Sequence, residues 1–388
     1  MKKATLAIAL LLWPIYGLAD AEFSGSVGLQ QNYFWDDPKF ITQKRNNSPE
    51  IVTEPEITWR GDEHSFSFKA FGRTGSDDEE RNHIDIRELH WSYDNKFVDV
   101  NAGVNIVYWG VTESWHLVNI INQVDLVESI YQDEKLGQPM VNAAFIRDWG
   151  NLSLYWLPVF RERVYPSAQG RYRTPLPVDN DSARYSGTKK NAHQDYAIRY
   201  SHYVGDIDLG LHWFEGIGRE PFLEADETGK YLIPVYAKVR QFGIDLQLTT
   251  DAWLWKLEAI ANQNLYEDYR AAVGGFEYTF FQVIDTNADI GLLMEYIYDE
   301  RGEASNVFSR DIFLGTRIAL NDLQDTTTLL GAIVDKETGE TVIKMELSRR
   351  VGKQFTLEIE GSVFSRANHA LLAYEKDSMV SLRFDWHF

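Results

Sequence analysis

The sequence predicts a closed, antiparallel, up-and-down transmembrane β-barrel of about eighteen strands. Three observations carry this: strict apolar/polar alternation, a regular exchange of short and long connections, and an export-type N-terminus. Alternation is cleanest at the end of the chain. Val380, Leu382, Phe384, Trp386 and Phe388 fall on one face, and Ser381, Arg383, Asp385 and His387 on the other. A period of two sends alternate side chains to opposite faces of a strand. One face is wholly apolar and its complement charged. A sandwich core satisfies such a strand, and so does lipid outside a barrel that holds water.

The N-terminus favours lipid. Lys2 and Lys3 precede an apolar run, Ala4 to Trp13, that is too short to span a bilayer. Ala19-Asp20-Ala21 supplies a small-x-small cleavage site, and Gly17 with Ala19 satisfies the same rule. The expected organisation is a signal peptide over 1–21 and a barrel over 22–388, in an exported bacterial protein. Cys is absent, which excludes a lipid-anchored N-terminus and any disulfide framework. No later segment has the long apolar run of a membrane helix, yet the chain carries 12 Trp, 20 Tyr and 21 Phe. Many aromatics with a polar average suit strands that meet lipid on one side and water on the other. A formal charge of −20 argues against nucleic acid as a partner.

The strands expected in order run over 23–34, 50–60, 64–73, 83–94, 97–108, 140–147, 150–158, 194–204 and 206–215. They continue over 232–249, 252–264, 270–283, 288–299, 307–320, 326–335, 340–349, 353–365 and 376–388. Trp253, Trp255, Leu257 and Ala259 alternate cleanly, as do Ile290, Leu292, Met294 and Tyr296. Short turns such as Gly61-Asp62-Glu63, Asp94-Asn95-Lys96, Val204-Gly205-Asp206 and Val351-Gly352 take turns with mostly longer loops. The longer ones are 35–49, 74–82, 109–139, 159–193, 216–231, 300–306 and 366–375. An even count keeps both termini on the short-turn side. Sixteen is the alternative count, because the strands at 140–147 and 150–158 are brief and the link near 265–269 is ambiguous.

If the apolar face meets lipid, its complement lines the lumen. The expected lumenal groups are Lys256, Glu258, Glu277, Glu295, Arg317, Lys344, Glu346, Glu358, Glu360, Arg383 and Asp385. Charges of both signs across a narrow passage favour small polar or charged solutes. The alternative is that they pair across neighbouring strands and stiffen the wall. Two strands change phase: Ile84 and Ile86 give way to Leu89, Trp91 and Tyr93, and Val235, Ala237 and Val239 to Phe242, Ile244 and Leu246. Each change predicts a β-bulge, near Arg87-Glu88 and near Arg240-Gln241.

Two loops stand out. In 109–139, Trp115, Leu117, Ile121, Val124, Val127 and Tyr131 recur at helical steps, with Asn122, Asp125 and Glu128 opposite. That spacing predicts a short amphipathic helix, stopped by Gly137-Gln138-Pro139. Its apolar face would fold into the barrel as a constriction, with Trp115, Asn119, Asn122, Asp125 and Glu128 at the narrowing. Capping the mouth or touching lipopolysaccharide are the alternatives. The loop 159–193 is basic, with Arg161, Arg163, Arg171, Arg173, Arg184, Lys189 and Lys190 against three acids. It is expected to attract a lumenal anion or lipopolysaccharide phosphates, or to be a solvated surface loop. The acidic run Asp77-Asp78-Glu79-Glu80 offers poor spacing for a cation.

No nucleophile elbow, zinc-protease motif or phosphate-cradling loop occurs, and the nine His are scattered, so no enzyme, cofactor or metal is expected. Phe384, Trp386 and Phe388 resemble the C-terminal signature of bacterial outer-membrane barrels, which implies the barrel assembly machinery as a partner. A second resemblance rests on Arg87-Glu88-Leu89-His90-Trp91-Ser92-Tyr93, Val100-Asn101-Ala102-Gly103 and Tyr108-Trp109-Gly110 with Glu113-Ser114. It continues through Asn119-Ile120-Ile121-Asn122-Gln123-Val124-Asp125 and Gly137-Gln138-Pro139-Met140. These residues resemble a proteobacterial family of uncharacterised outer-membrane porin-like barrels, in which a strand ending in Trp-Gly leads into an Asn-x-x-Asn-x-x-Asp loop. The resemblance implies a channel-like protein, in a family with members tied to exporters of hydrophobic compounds.

The expected function is passive passage of small polar or charged solutes across the outer membrane. The alternatives are a plugged barrel that exports or moves hydrophobic or lipid-like compounds with an envelope transporter, and a surface receptor or adhesin. Outer-membrane lipid, lipopolysaccharide and small solutes are the expected partners, with a homo-oligomer as a further one.

Overall fold

The computed structural model describes residues 21–186, 193–302 and 306–388. The expected signal peptide lies outside these apart from Ala21, as do Lys189 and Lys190 of the basic loop. The chain forms a closed barrel of 18 antiparallel strands, which decides against sixteen. The brief strands Gln138–Arg147 and Gly150–Leu157 pair with each other from Val141 opposite Trp156 to Arg147 opposite Gly150, and Trp253–Asn264 and Tyr269–Phe280 are distinct partners across the ambiguous link. Every strand pairs with the next along the chain. The terminal strand Met379–His387 closes on the first, Ala21–Phe34, with Leu29 opposite Phe384 and Val27 opposite Trp386. Phe388 adds two backbone hydrogen bonds to Gly25 and sets its ring against Phe23, with centroids 5.2 Å apart. Closure leaves no unpaired strand edge. Two short extra strands, Arg184–Ser186 and Phe222–Ala225, extend the sheet at the long-loop end by pairing with Leu232–Thr250.

The outer face is the apolar one. Leu292, Met294, Tyr296 and Tyr298 are exposed along one strand, and Phe384 and Trp386 on the last. Trp253, Trp255, Phe276 and Tyr278 pack together on this face, as an aromatic girdle does.

One expected bulge is present and the other is not. Between the third and fourth strands the register slips, with Lys69 opposite Glu88 and Ala70 opposite Ile86, so Arg87 is the extra residue. Around Arg240-Gln241 both neighbouring ladders run without a break. There the wall keeps its phase and the surroundings change: Val235, Ala237 and Val239 face inward and are buried against apolar matter. Further along, Phe242, Ile244 and Leu246 take the opposite face, with Phe242 exposed.

That apolar matter belongs to the long loops, 106–137 above all. The expected helix is absent from it. Among the described residues the only helices are two 3₁₀ turns, Val283–Asp285 and Ala370–Tyr374. The helical spacing reflects a segment pressed between two walls. Trp109, Val118, Ile120 and Ile121 pack against Met140, Tyr155, Leu157 and Phe214 on one side. Trp115, Leu117, Ile130 and Tyr131 pack against a cluster with Leu293, Ile297, Phe308 and Phe313 on the other. Its backbone N–H groups go to wall carboxylates rather than to a helical ladder.

Candidate functional site: a filled lumen and its vestibule

The site begins at the Trp-Gly dipeptide, which lies beyond the end of the strand Val98–Asn105 rather than in it as expected. Gly110 has φ +131°, and a Cβ there would lie 2.7 Å from the Glu258 carboxylate. Glycine lets the chain turn inward directly beneath that wall residue. Glu258 then accepts hydrogen bonds from the backbone N–H of Val111 (2.8 Å), Thr112 (3.0 Å) and Val118 (3.2 Å) and from the Thr112 hydroxyl (2.7 Å). Glu295 accepts from the N–H groups of Glu113 and Ser114, both at 2.8 Å, and from the Ser114 hydroxyl at 2.6 Å. Two inward carboxylates on the wall therefore hold the descending limb of the insert. Buried carboxylates are satisfied by several donors, and the donors by them.

The expected lumenal cations are all engaged. Arg317 pairs with Glu113 of the insert at 2.6 Å and with Glu277 at 3.4 Å; Lys256 reaches the same two acids at 3.8 and 3.9 Å. Lys344 pairs with Asp133 (2.7 Å) and Glu346 (2.5 Å), and Arg383 with Glu54 (3.1 Å) and Asp385 (2.8 Å). Pairing and stiffening describe these residues better than an open field across a pore. Glu258 and Glu295 line no water at all, since the insert buries them.

The expected constriction residues are inside the barrel but do different things. Trp115 sets its ring edge-on to Phe308, with centroids 5.2 Å apart. Asn122 is fully buried and ties the two limbs together, donating to Asn105 O and Leu136 O (each 2.9 Å) and accepting from Val107 N–H. Asp125 pairs with Arg87, the bulged residue, and lies 3.4 Å from His83. Glu128 takes a bidentate grip from Arg73, which also pairs with Glu50, and Arg81 joins Glu50 at 3.1 Å. Asn119 is buried and its amide has no partner among the described residues. Glu50, Arg73 and Arg81 were not singled out from the sequence; Glu50 lies at the start of the second strand, Arg73 at the end of the third, and Arg81 in the loop that follows.

The basic loop is folded against neighbouring loops, and two of its four expected arginines, Arg161 and Arg171, are paired with acids. Arg161 pairs with Asp85 at 2.7 Å. Arg171 pairs with Asp377 at 2.6 Å, both buried, and lies over the Phe34 ring. Arg173 donates to Thr42 (2.9 Å) and to backbone carbonyls and covers Phe40. Arg163, like Arg173, has no carboxylate within 4.0 Å among the described residues; it gives Nε to Gln123 at 3.3 Å. In the acidic run, Asp78 accepts from the N–H groups of Ser167 (3.0 Å) and Glu80 (3.2 Å) and serves loop packing.

What space remains lies along the wall formed by the first strands and the last three. A vestibule of about 770 Å³ opens at the short-turn end. It runs into a chamber of about 290 Å³ with which it shares Glu134, Glu346, Glu358, Glu360 and Arg383. This narrows to a gap of about 80 Å³ lined by Phe34, Tyr131, Arg171 and Tyr172. Among the described residues, Glu134, Glu358 and Glu360 have no Lys or Arg nitrogen within 4.0 Å.

No protein-family model matches the chain, and no curated protein matches it. Its fold is similar to solved outer-membrane barrels. Wzi of Escherichia coli, described as a carbohydrate-binding β-barrel involved in group 1 capsule assembly, superposes with TM-score 0.58 at 9% identity, spanning 95% of this chain and 84% of Wzi. OpdQ of Pseudomonas aeruginosa superposes with TM-score 0.50 at 10% identity, spanning 94% of this chain and 97% of OpdQ. A mutant porin of Rh. blastica reaches TM-score 0.48 at 12% identity, spanning 95% of this chain and 100% of the porin.

Proposed function

We propose that this protein is an outer-membrane barrel providing a narrow, cation-preferring path for small polar solutes, without a catalytic step. The short-turn end faces the periplasm in this reading, and the acidic vestibule opens there. The observation that carries it is the set of three acids, Glu134, Glu358 and Glu360, that make no ion pair within 4.0 Å, in a vestibule lining where Glu and Asp outnumber Lys and Arg. Every lumenal Lys and Arg expected from the sequence is already spent on a carboxylate. A confined space with surplus negative charge concentrates cations and repels anions. The insert's apolar side chains are packed against inward apolar wall residues, so they leave no greasy path for a lipid-like cargo.

A second reading is supported by the 80 Å³ gap: a barrel closed by its insert, which holds a ligand instead of passing one. Planar-bilayer recording separates the two. The channel reading expects small conductance steps with a reversal potential toward the cation equilibrium, shifted toward zero in Glu358→Gln/Glu360→Gln. Deleting residues 112–131 should enlarge the steps. A folded barrel that conducts only after that deletion is a plugged one; anion selectivity of the intact protein refutes the proposal.

A further inference from the structure

A separate cavity of about 120 Å³ lies at the long-loop end, between the insert and the wall strands Leu232–Thr250 and Trp253–Asn264. It shares no lining residue with the vestibule, the chamber or the gap. Asn119, Lys135, Arg163 and Arg219 line it. Arg219 is occupied, donating to Asp195 at 2.7 Å and to the Ile121 carbonyl at 2.9–3.0 Å. Lys135 and Arg163 are both buried, yet among the described residues neither has a carboxylate oxygen within 4.0 Å. Of the acids that bear on this cavity, Asp133 is taken by Lys344 and Glu220 by Arg301. In a chain of formal charge −20, two buried cations left facing each other are conspicuous. Buried charges are ordinarily paired, because leaving one unpaired is costly. Asn119 adds a second kind of vacancy. It is 8% exposed, and both its amide nitrogen and its oxygen lack a partner.

We propose that this cavity binds a small hydroxylated anion entering from the long-loop side. Lys135 and Arg163 hold its carboxylate or phosphate, and the Asn119 amide takes up a hydroxyl as both donor and acceptor. A cavity of this size accepts roughly eight to ten water-sized groups. The class is therefore a short-chain hydroxy acid or the phosphate ester of a small polyol. Burial and the neighbouring Arg163 charge hold the Lys135 amine down to about 8, as an unanswered pair of cations requires.

The test is calorimetric titration of the detergent-folded chain with glycerate, glycerol 3-phosphate, inorganic phosphate and glycerol. Saturation is expected with glycerate or glycerol 3-phosphate and not with glycerol. Whichever of the two binds more tightly assigns the head group. Lys135→Met and Arg163→Gln should each weaken binding about tenfold or more, as loss of a charge-assisted contact does. Glu358→Gln, on the separate vestibule path, should leave binding unchanged, so the site and the cation path fail independently. Should Lys135→Met not fold, titrating the native protein at pH 10 removes the same charge and should weaken binding. No saturation by either hydroxylated anion overturns the proposal, as does wild-type affinity in both variants. Inorganic phosphate binding as tightly as glycerol 3-phosphate would overturn the role given to Asn119.

Discussion

Glu258 on the wall and Thr112 on the insert are joined twice, through the threonine N–H at 3.0 Å and its hydroxyl at 2.7 Å. The same carboxylate carries Val111 and Val118, so one fully buried side chain holds both sides of a turn. Removing it by Glu258→Ala strands several buried donors, at about 1–3 kcal/mol for each that water does not reach. The strand ladders are untouched, so the barrel itself should stay folded and heat-resistant. The expected outcome is a loosened insert, seen in single-channel recordings as larger and noisier steps than wild type. Unaltered steps would show that the insert is held by its apolar packing alone.

Gly110 makes the same point from the backbone side. A methyl group there would sit 2.7 Å from the Glu258 carboxylate, on a residue whose φ of +131° disfavours any side chain. Gly110→Ala should therefore reproduce the loosened insert, at a cost of order 1–3 kcal/mol. Gly205 is a control: its φ is +62°, but nothing lies within 4 Å of an added Cβ. Gly205→Ala should cost about 1 kcal/mol in stability and leave conductance unaltered.

The two faces of the wall predict opposite responses to arginine. Leu292 is 45% exposed on the outer face, opposite Tyr278 of the aromatic girdle, so Leu292→Arg should cost toward the low end of the roughly 2–4 kcal/mol that arginine costs at the bilayer midplane. Leu357 lies two residues from the turn end of its strand Phe355–Ser365, so Leu357→Arg should cost less. Thr356→Arg faces the wet vestibule end and should be tolerated. Parity alone also assigns Gly291 to a tolerant interior. The packing says otherwise, since a Cβ there would lie 2.4 Å from the Glu277 carboxylate. Refolding yields in lipid vesicles should rank Thr356→Arg best and place Gly291→Arg with Leu292→Arg.

The wall was legible because two-residue periodicity survives wherever lipid is on one side. Trp253, Trp255 and Leu257 announce their face regardless of what fills the interior. The interior was only half legible, because its partner is the chain itself. Val235, Ala237 and Val239 break the apolar-outside rule since they meet packed loops, and the rule then mimics a bulge that the ladder does not contain. At Arg87 the same kind of phase change is a true bulge, and the extra residue is the one that grips Asp125. The helical steps of Trp115, Leu117, Ile121 and Val124 signalled a segment with apolar sides, which is correct. They do not distinguish a helix from an irregular strap whose N–H groups are claimed by Glu258 and Glu295. Lumenal charges were found by parity, but some of their partners sit on the insert, and no local pattern pairs Arg317 with Glu113 or Lys344 with Asp133 across the barrel.

Lys135 makes the anion pocket sensitive to pH. Its amine titrates near about 8, below the ordinary lysine value, chiefly through burial and then through Arg163. The charged groups facing it are Arg163, Arg219 and Arg301 on the positive side and Asp133 and Glu220 on the negative; His116 also lines the pocket. Below pH 8 the amine is protonated in both folded and unfolded chains, so its burial penalty is fully present. Between about 8 and the unfolded lysine value, near 10.4, the folded chain has released this proton and the unfolded chain has not. Stability should therefore rise with pH across that window. Anion affinity should run the other way, falling as pH passes 8, because the neutral amine no longer attracts the ligand. A bound anion favours the protonated amine, so binding at pH 8 to 9 should take up protons, measurable as a buffer-dependent heat. In Lys135→Met both the stability rise and the proton uptake should vanish, and either one persisting would assign the titration to another group.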